Sequence, residues 1–256
     1  MTGLHRPLLV GALAHGALAL GCLVALARPA EPILGVHPAL KPFKFAVSIA
    51  LLLGSLAWVL PRVDVDSPVR ETLAWVLLGT LVVEMAIIVS QAWRGTTSHF
   101  NLRTPLDAAL WRAMQAAIVL ATVGLVALAI WATRRPLVGV DEVLQFAWRA
   151  GLWLTLLAAV SGFRMGGALS HSVGGPDGSA GFWLVNWSRS LGDLRVSHFI
   201  SLHALQVVPL VAWAAALVLP TPAQWATVVS ASGLTLALCV GTLVQALVGR
   251  PVVPTS

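Results

Sequence analysis

The sequence predicts an all-α, polytopic membrane protein with seven transmembrane helices in one bundle. Three observations predict it. Seven long apolar runs fill most of the chain. Hydrophobic residues make up 58% of it and charged residues only 10%, where a soluble domain carries about 25% charged residues. The polar motifs fall almost entirely in alternate loops, which in a membrane protein lie on one side of the bilayer. Apolar runs of about 20 residues cross the hydrocarbon core as helices, because irregular chain there would strand its backbone polar groups. The runs are continuous rather than alternating, which argues against a β-barrel.

The predicted spans are 7–27, 43–61, 72–92, 108–133, 144–163, 197–218 and 225–248. The first follows a charged start, Met1–Arg6, and ends near Ala25-Leu26-Ala27, a small-residue signature resembling a signal cleavage site. Its apolar stretch exceeds the ~7–15 residues of a signal-peptide core, so it reads as a retained helix. Ala12, Gly16 and Ala19 share a face suited to close helix packing. His15 stands alone in this span, where a packing role suffices. The second span is entered through His37-Pro-Ala-Leu-Lys41-Pro-Phe-Lys44, whose prolines predict an extended, rigid approach. Lys41 and Lys44 read either as lysines reaching lipid headgroups or as a clamp for an anion.

The third span carries Glu84. A carboxyl in hydrocarbon must be protonated or paired, and it usually marks a polar path. Gln91 falls one heptad later on the same face. Arg94-Gly95-Thr-Thr-Ser98-His99-Phe-Asn101 then follows in a polar loop. The fourth span begins beyond Asp107. The fifth is bracketed by Arg149 and Arg164. After it comes a long polar connection, 164–196, in which Gly166-Gly167, Gly174-Gly175 and Pro176-Asp177-Gly178 mark turns around His171. Connections of this length are often functional. Phe182, Trp183 and Trp187 give it apolar weight for a lid over the helix ends. The sixth span opens with Gly192-Asp193-Leu-Arg195-Val-Ser-His198-Phe-Ile-Ser-Leu-His203-Ala-Leu-Gln206. There Arg195, His203 and Gln206 fall within about 80° on a helical wheel.

With the amino terminus on side A, the motif-bearing loops 28–43, 93–107 and 164–197 all lie on side B. Lys and Arg number six on side A and ten on side B, which favours side B as cytoplasmic. The whole chain, 1–256, reads as one membrane domain. The net charge of +6 comes without a Lys/Arg run or a soluble module, so nucleic acid is not a partner. The lipid bilayer is. Cys22 and Cys239 sit inside apolar spans as packing residues.

The candidate ligand-binding residues are therefore Lys41, Lys44, Glu84, Gln91, Arg94, Asn101, Asp193, Arg195 and Gln206, with His99, His171, His198 and His203 as candidate metal ligands. His198 and His203 are five apart rather than four and match no compact metal motif. A bis-histidine haem would need two histidines at one depth, and His15 and His203 enter from opposite sides. No nucleotide loop, nucleophile elbow or zincin motif is present. The expected function is binding of a metal or an anionic small molecule at a one-sided polar pocket, with an enzyme within that class. The alternatives are a proton- or ion-coupled transporter that uses Glu84, and a structural or assembly protein. The cofactor is undetermined between a metal ion and a haem, and the expected partner of Glu84 is His203 or an arginine.

The motifs His-Pro-x-x-Lys-Pro-x-Lys-Phe-Ala at 37–46, Arg-Gly-x-x-Ser-His-Phe-Asn at 94–101 and Gly-Asp-Leu-Arg-x-x-His-Phe-x-x-x-His-Ala-Leu-Gln at 192–206 resemble a family of uncharacterised bacterial seven-helix integral membrane proteins. The resemblance implies a bacterial inner or plasma membrane and supplies no activity.

Overall fold

A computed structural model describes residues 3–178, 181–182 and 184–253. Seven of its helices are long and apolar enough to cross a membrane: α1 (Arg6–Leu26), α2 (Leu40–Val59), α3 (Ser67–Trp93), α4 (Pro105–Arg134), α5 (Glu142–Ala168), α6 (Leu194–Val218) and α7 (Thr221–Leu247). The chain is an all-α, multi-pass membrane protein. Its contacts gather into two compact units, Met1–Gly139 with α1–α4 and Val140–Ser256 with α5–α7.

Local chemistry sets the helix ends. His5 caps α1 by accepting from the Leu8 amide through Nδ1, and its own amide donates to the Ala57 carbonyl of α2 at 2.9 Å. Its Nε2 meets Glu71 of α3 at 3.0 Å. Thr104 and Asp141 cap α4 and α5 through side-chain oxygens. Gly95 and Gly249 adopt left-handed backbone just past α3 and α7, where a residue without Cβ ends a helix at no steric cost.

Two expectations about boundaries change. The approach to the second span is helical from Leu40, because a proline in the first turn has no helical hydrogen bond to lose. Lys41 and Lys44 therefore stand on the first two turns of α2 rather than on an extended strap. The turn expected at Gly166-Gly167 is also helix. The α5 ladder runs on to Ala168 and stops at Leu169, which takes the left-handed conformation with φ 51°.

In the second unit, Val143, Ala147, Leu154, Ala204, Val208, Ala212 and Val228 form the core between α5, α6 and α7. Gly151 lets α5 and α6 approach closely: a Cβ there would stand 3.1 Å from the Ala204 carbonyl oxygen and the Leu205 Cα. Pro209 lies inside α6, so the Leu205 carbonyl loses its helical donor. The Leu205 amide meanwhile donates to Thr155 Oγ1 on α5 at 3.1 Å.

Candidate functional site

The first unit places one polar cluster where α2, α3 and α4 meet the 94–104 loop. Glu84, about two-thirds of the way along α3, is 7% exposed. Its Oε1 faces His99 Nε2 at 3.6 Å, and its buried Oε2 has no hydrogen-bond partner among the described residues. The other ring nitrogen of His99, Nδ1, lies 3.1 Å from Ser98 Oγ. Aromatic rings box the imidazole. Phe45 of α2 stands edge-on at 5.6 Å, Trp111 of α4 at 5.4 Å and Phe100 at 5.9 Å between centroids. Phe100 and Trp111 also meet edge-on at 5.2 Å. Lys41 lies 5.8 Å over the Phe45 ring and within electrostatic range of Glu84. Lys44 stands half-buried one turn further along α2.

The loop that carries His99 is held in a conformation its side chains do not favour. Phe100 has φ 59°, and for a bulky residue the left-handed region is strained by about 1–3 kcal/mol. Asn101 braces it, donating to Thr96 Oγ1 at 3.0 Å and to the Thr97 carbonyl at 2.9 Å while accepting from the Arg103 amide at 3.1 Å. Asn101 is thus a loop-building residue, with all three of these bonds inside the protein.

Beside this box lies a second network. Asp107 Oδ1 accepts from Gln91 Nε2 at 2.9 Å and from Arg94 at 2.7 Å, and its Oδ2 accepts from Thr104 Oγ1 at 2.8 Å. Arg94 donates to Gln91 as well. Gln91 and Asp107 are both buried. Arg94, expected to face a ligand, therefore spends its guanidinium on an internal carboxylate. From the sequence Asp107 is a residue of the side-B loops with no role in such a network. The signal was present in Thr104-Pro-Leu-Asp107, a helix-start pattern that puts the carboxyl over the first turn.

The second unit treats its predicted residues the same way. Asp193 caps α6 and accepts from the Ser188 amide at 2.7 Å and from the Arg195 amide at 3.0 Å. Arg195 clamps the same carboxylate at 2.9 and 2.6 Å and donates to the Asn186 carbonyl at 2.5 Å. Burial raises the Asp193 pKa, but the Arg195 and amide contacts outweigh it and hold the carboxyl below its ordinary range. Ser172–Val173 (β1) pairs antiparallel with Gly192–Asp193 (β2). Asp177 binds Ser170 Oγ and the His171 and Ser172 amides at 2.8, 3.2 and 3.0 Å, with His171 Nδ1 at 3.0 Å. Its carboxyl, pushed up by burial, is pulled below the usual value by His171 and these bonds. The long connection is a braced loop rather than a structureless one. Of the aromatic residues expected to weight it, Trp183 lies outside the described residues.

The remaining histidines occupy separate settings. His198 Nδ1 lies 2.9 Å from the Ala158 carbonyl and 3.3 Å from Ser161 Oγ. His203 Nδ1 lies 3.3 Å from Gln206 Oε1, with its ring 4.5 Å from that of Phe199. Among the described residues, no three His, Cys, Asp or Glu side chains gather as a metal ion would require. Within the first unit the partner of Glu84 is His99, which the strained 98–100 turn brings inward; His203 belongs to the second unit.

Fold and cluster together define a seven-helix membrane protein with a buried carboxyl–imidazole pair near the end of α3. No protein-family model, curated protein or solved structure matches the chain.

Proposed function

We propose that the protein is a proton- or ion-coupled transporter of the bacterial plasma membrane in which Glu84 is the coupling carboxyl and His99 its exchange partner. The observation that carries the reading is Glu84 itself: buried in a membrane helix, one oxygen directed at an imidazole 3.6 Å away and the other without a hydrogen-bond partner among the described residues. A carboxyl kept in such a place at the expense of stability is characteristic of proton and ion pathways. Glu84, His99 and Ser98 form a row along which a proton can pass from carboxyl to Nε2 and from Nδ1 to the hydroxyl, because imidazole accepts at one nitrogen while donating at the other.

The anion-binding reading has less support. Arg94 and Arg195 are each engaged by an internal carboxylate, and the four candidate histidines stand in separate settings. The test is proton uptake into proteoliposomes that hold a pH-sensitive dye and face an imposed potential. Wild-type protein should acidify the lumen, with Glu84→Gln and His99→Ala at least tenfold slower. Equal rates in wild type, Glu84→Gln and protein-free vesicles would overturn the proposal.

A further inference from the structure

Lys41 stands at the unfavourable end of a helix. It belongs to the first turn of α2, which holds no acidic residue and has no side-chain cap. The partial charge of a helix start is positive, so a cation there is disfavoured. What the turn faces explains its place. Lys41 and Phe45 are four residues apart and share one helix face, with the ammonium 5.8 Å from the centre of the ring. The same ring meets His99 edge-on at 5.6 Å, and His99 Nε2 faces Glu84 Oε1 at 3.6 Å. Lys41, Phe45, His99 and Glu84 thus form one row, and the ammonium acts electrostatically on the carboxyl. The neighbouring Arg94 is bound to Asp107.

Two kinds of cation can couple at a buried carboxyl, a proton or a metal ion such as sodium. The surroundings of Glu84 separate them. Hard metal cations are held by several oxygen ligands, and imidazole nitrogen suits softer metals. Around His99 stand the rings of Phe45, Phe100 and Trp111, which bring no oxygen. A proton needs no such shell, because one carboxyl oxygen and one ring nitrogen suffice. Once the proton has left, the carboxylate remains in a low dielectric and requires a counter-charge. An ammonium supplies that charge with three N–H donors. Those donors take the carboxylate lone pairs that a sodium ion would need.

We propose that Lys41 is the tethered counter-cation of Glu84, and that the ion coupled at this site is therefore the proton, with sodium excluded. The inference rests on the transport reading above and names both its ion and the residue that selects it. In the loaded state Glu84 is neutral and the ammonium rests over Phe45. On release the O–H bond of Glu84 breaks and an N–H bond forms at His99 Nε2. The imidazolium passes its Nδ1 proton toward Ser98, and the charge left on the carboxylate is met by Lys41. The flexible stem of lysine allows this movement, which a metal ion would make by diffusing in.

Transport into vesicles of neutral phosphatidylcholine tests it. Lys41→Met keeps an apolar stem against Phe45 and removes the charge. It should take up protons about tenfold more slowly than wild type, the least effect of losing an opposite charge at this range. Lys41→Arg should largely restore the rate. An inward sodium gradient at equal pH should draw no sodium into wild-type vesicles beyond the protein-free rate. Sodium uptake that disappears in Glu84→Gln would overturn the inference and leave the coupling carboxyl standing. So would proton uptake by Lys41→Met at the wild-type rate. A loss seen only when anionic phosphatidylglycerol is present would make Lys41 a headgroup anchor and overturn it as well. Transport of neither ion by the wild-type protein would remove the transport reading itself. Should Lys41→Met fail to insert, Lys41→Gln takes its place, and the sodium comparison needs no variant.

Discussion

Glu84 and His99 face each other at 3.6 Å, one from within α3 and the other from the strained turn that follows it. The helix supplies depth and the turn supplies reach. Neither residue could meet the other if α3 continued past Gly95. The consequence for stability is opposite to that for function. An unsatisfied buried carboxyl oxygen costs about 1–3 kcal/mol. Glu84→Leu should therefore melt at the same temperature as wild type or a few degrees higher in detergent, while proton uptake is lost. A fall in melting temperature of more than about 5 °C would identify Glu84 as a structural anchor.

Asp107 should behave in the contrary way. It gathers Gln91, Arg94 and Thr104, and Asp107→Ala leaves a buried amide and a guanidinium without their acceptor. Removing the shared acceptor strands several donors at once, so Asp107→Ala should melt roughly 5 °C or more below wild type. Arg94→Ala should cost less, and the double variant should recover part of the loss, because no uncompensated charge remains. Thermal melts of the four proteins check it. Strictly additive losses would show that the two residues do not act together.

The loop at 170–178 should respond to acid. The folded pKa of Asp177 lies below the unfolded value. Its contribution is therefore complete above the unfolded carboxylate pKa, about 3.9, and is lost as pH falls through the lower folded value. A spin label at Ser190→Cys should gain mobility as the sample is taken from about pH 5 to pH 3. In Asp177→Ala the label should already be mobile at neutral pH. Asp193 titrates in the same direction, so the variant keeps part of the acid response. A label whose mobility is unchanged across this range in wild type contradicts the bracing role.

Gly192 and Gly167 should differ sharply on substitution by alanine. A Cβ at Gly192 would stand 2.1 Å from the Ala246 carbonyl oxygen, whereas at Gly167 nothing lies within 4 Å. Gly192→Ala must push β2 away from α7, a loss beyond the ~1–3 kcal/mol of ordinary overpacking. Gly167→Ala, within α5, gains about 0.5–1 kcal/mol of helix propensity. Melts of the two variants in the same detergent decide the matter.

Topology is checked by single cysteines in a background free of Cys22 and Cys239. Cysteines at Glu31, Arg103 and Ser190 should react with an impermeant reagent from one membrane side, and one at Ser67 from the other. All four positions are exposed. Reaction at Arg103 and Ser190 from opposite sides would break the alternation of seven crossings.

The seven helices were legible because hydrocarbon imposes a length and a composition that no other element meets. Glu84 was legible for the same reason, being a carboxyl inside an apolar run. Its partner was not. Choosing among His99, His203 and the arginines depends on a left-handed Phe100 and on rings from two helices and the loop between α3 and α4, none of which hydropathy registers. Phe45, Phe100 and Trp111 read in sequence as part of the apolar background. The arginines misled in the other direction. Arg94 and Arg195 each look like ligand contacts until Asp107 and Asp193 are seen beside them, and pairings within a turn or between neighbouring helices leave only faint patterns in the chain.

Pro209 removes the donor to one α6 carbonyl, and Thr155 on α5 receives the Leu205 amide beside it. A side chain from the helix made just before it thus bonds α6 at the residue where Pro209 interrupts the ladder. A ribosome delivers α5 to the membrane first, so α6 can enter hydrocarbon already matched. Were the two helices exchanged in order, α6 would have to wait, one hydrogen bond short, for its partner to arrive. Gly151, Thr155 and Pro209 therefore act as one joint, and the hairpin rather than the single helix is the unit in which this region packs.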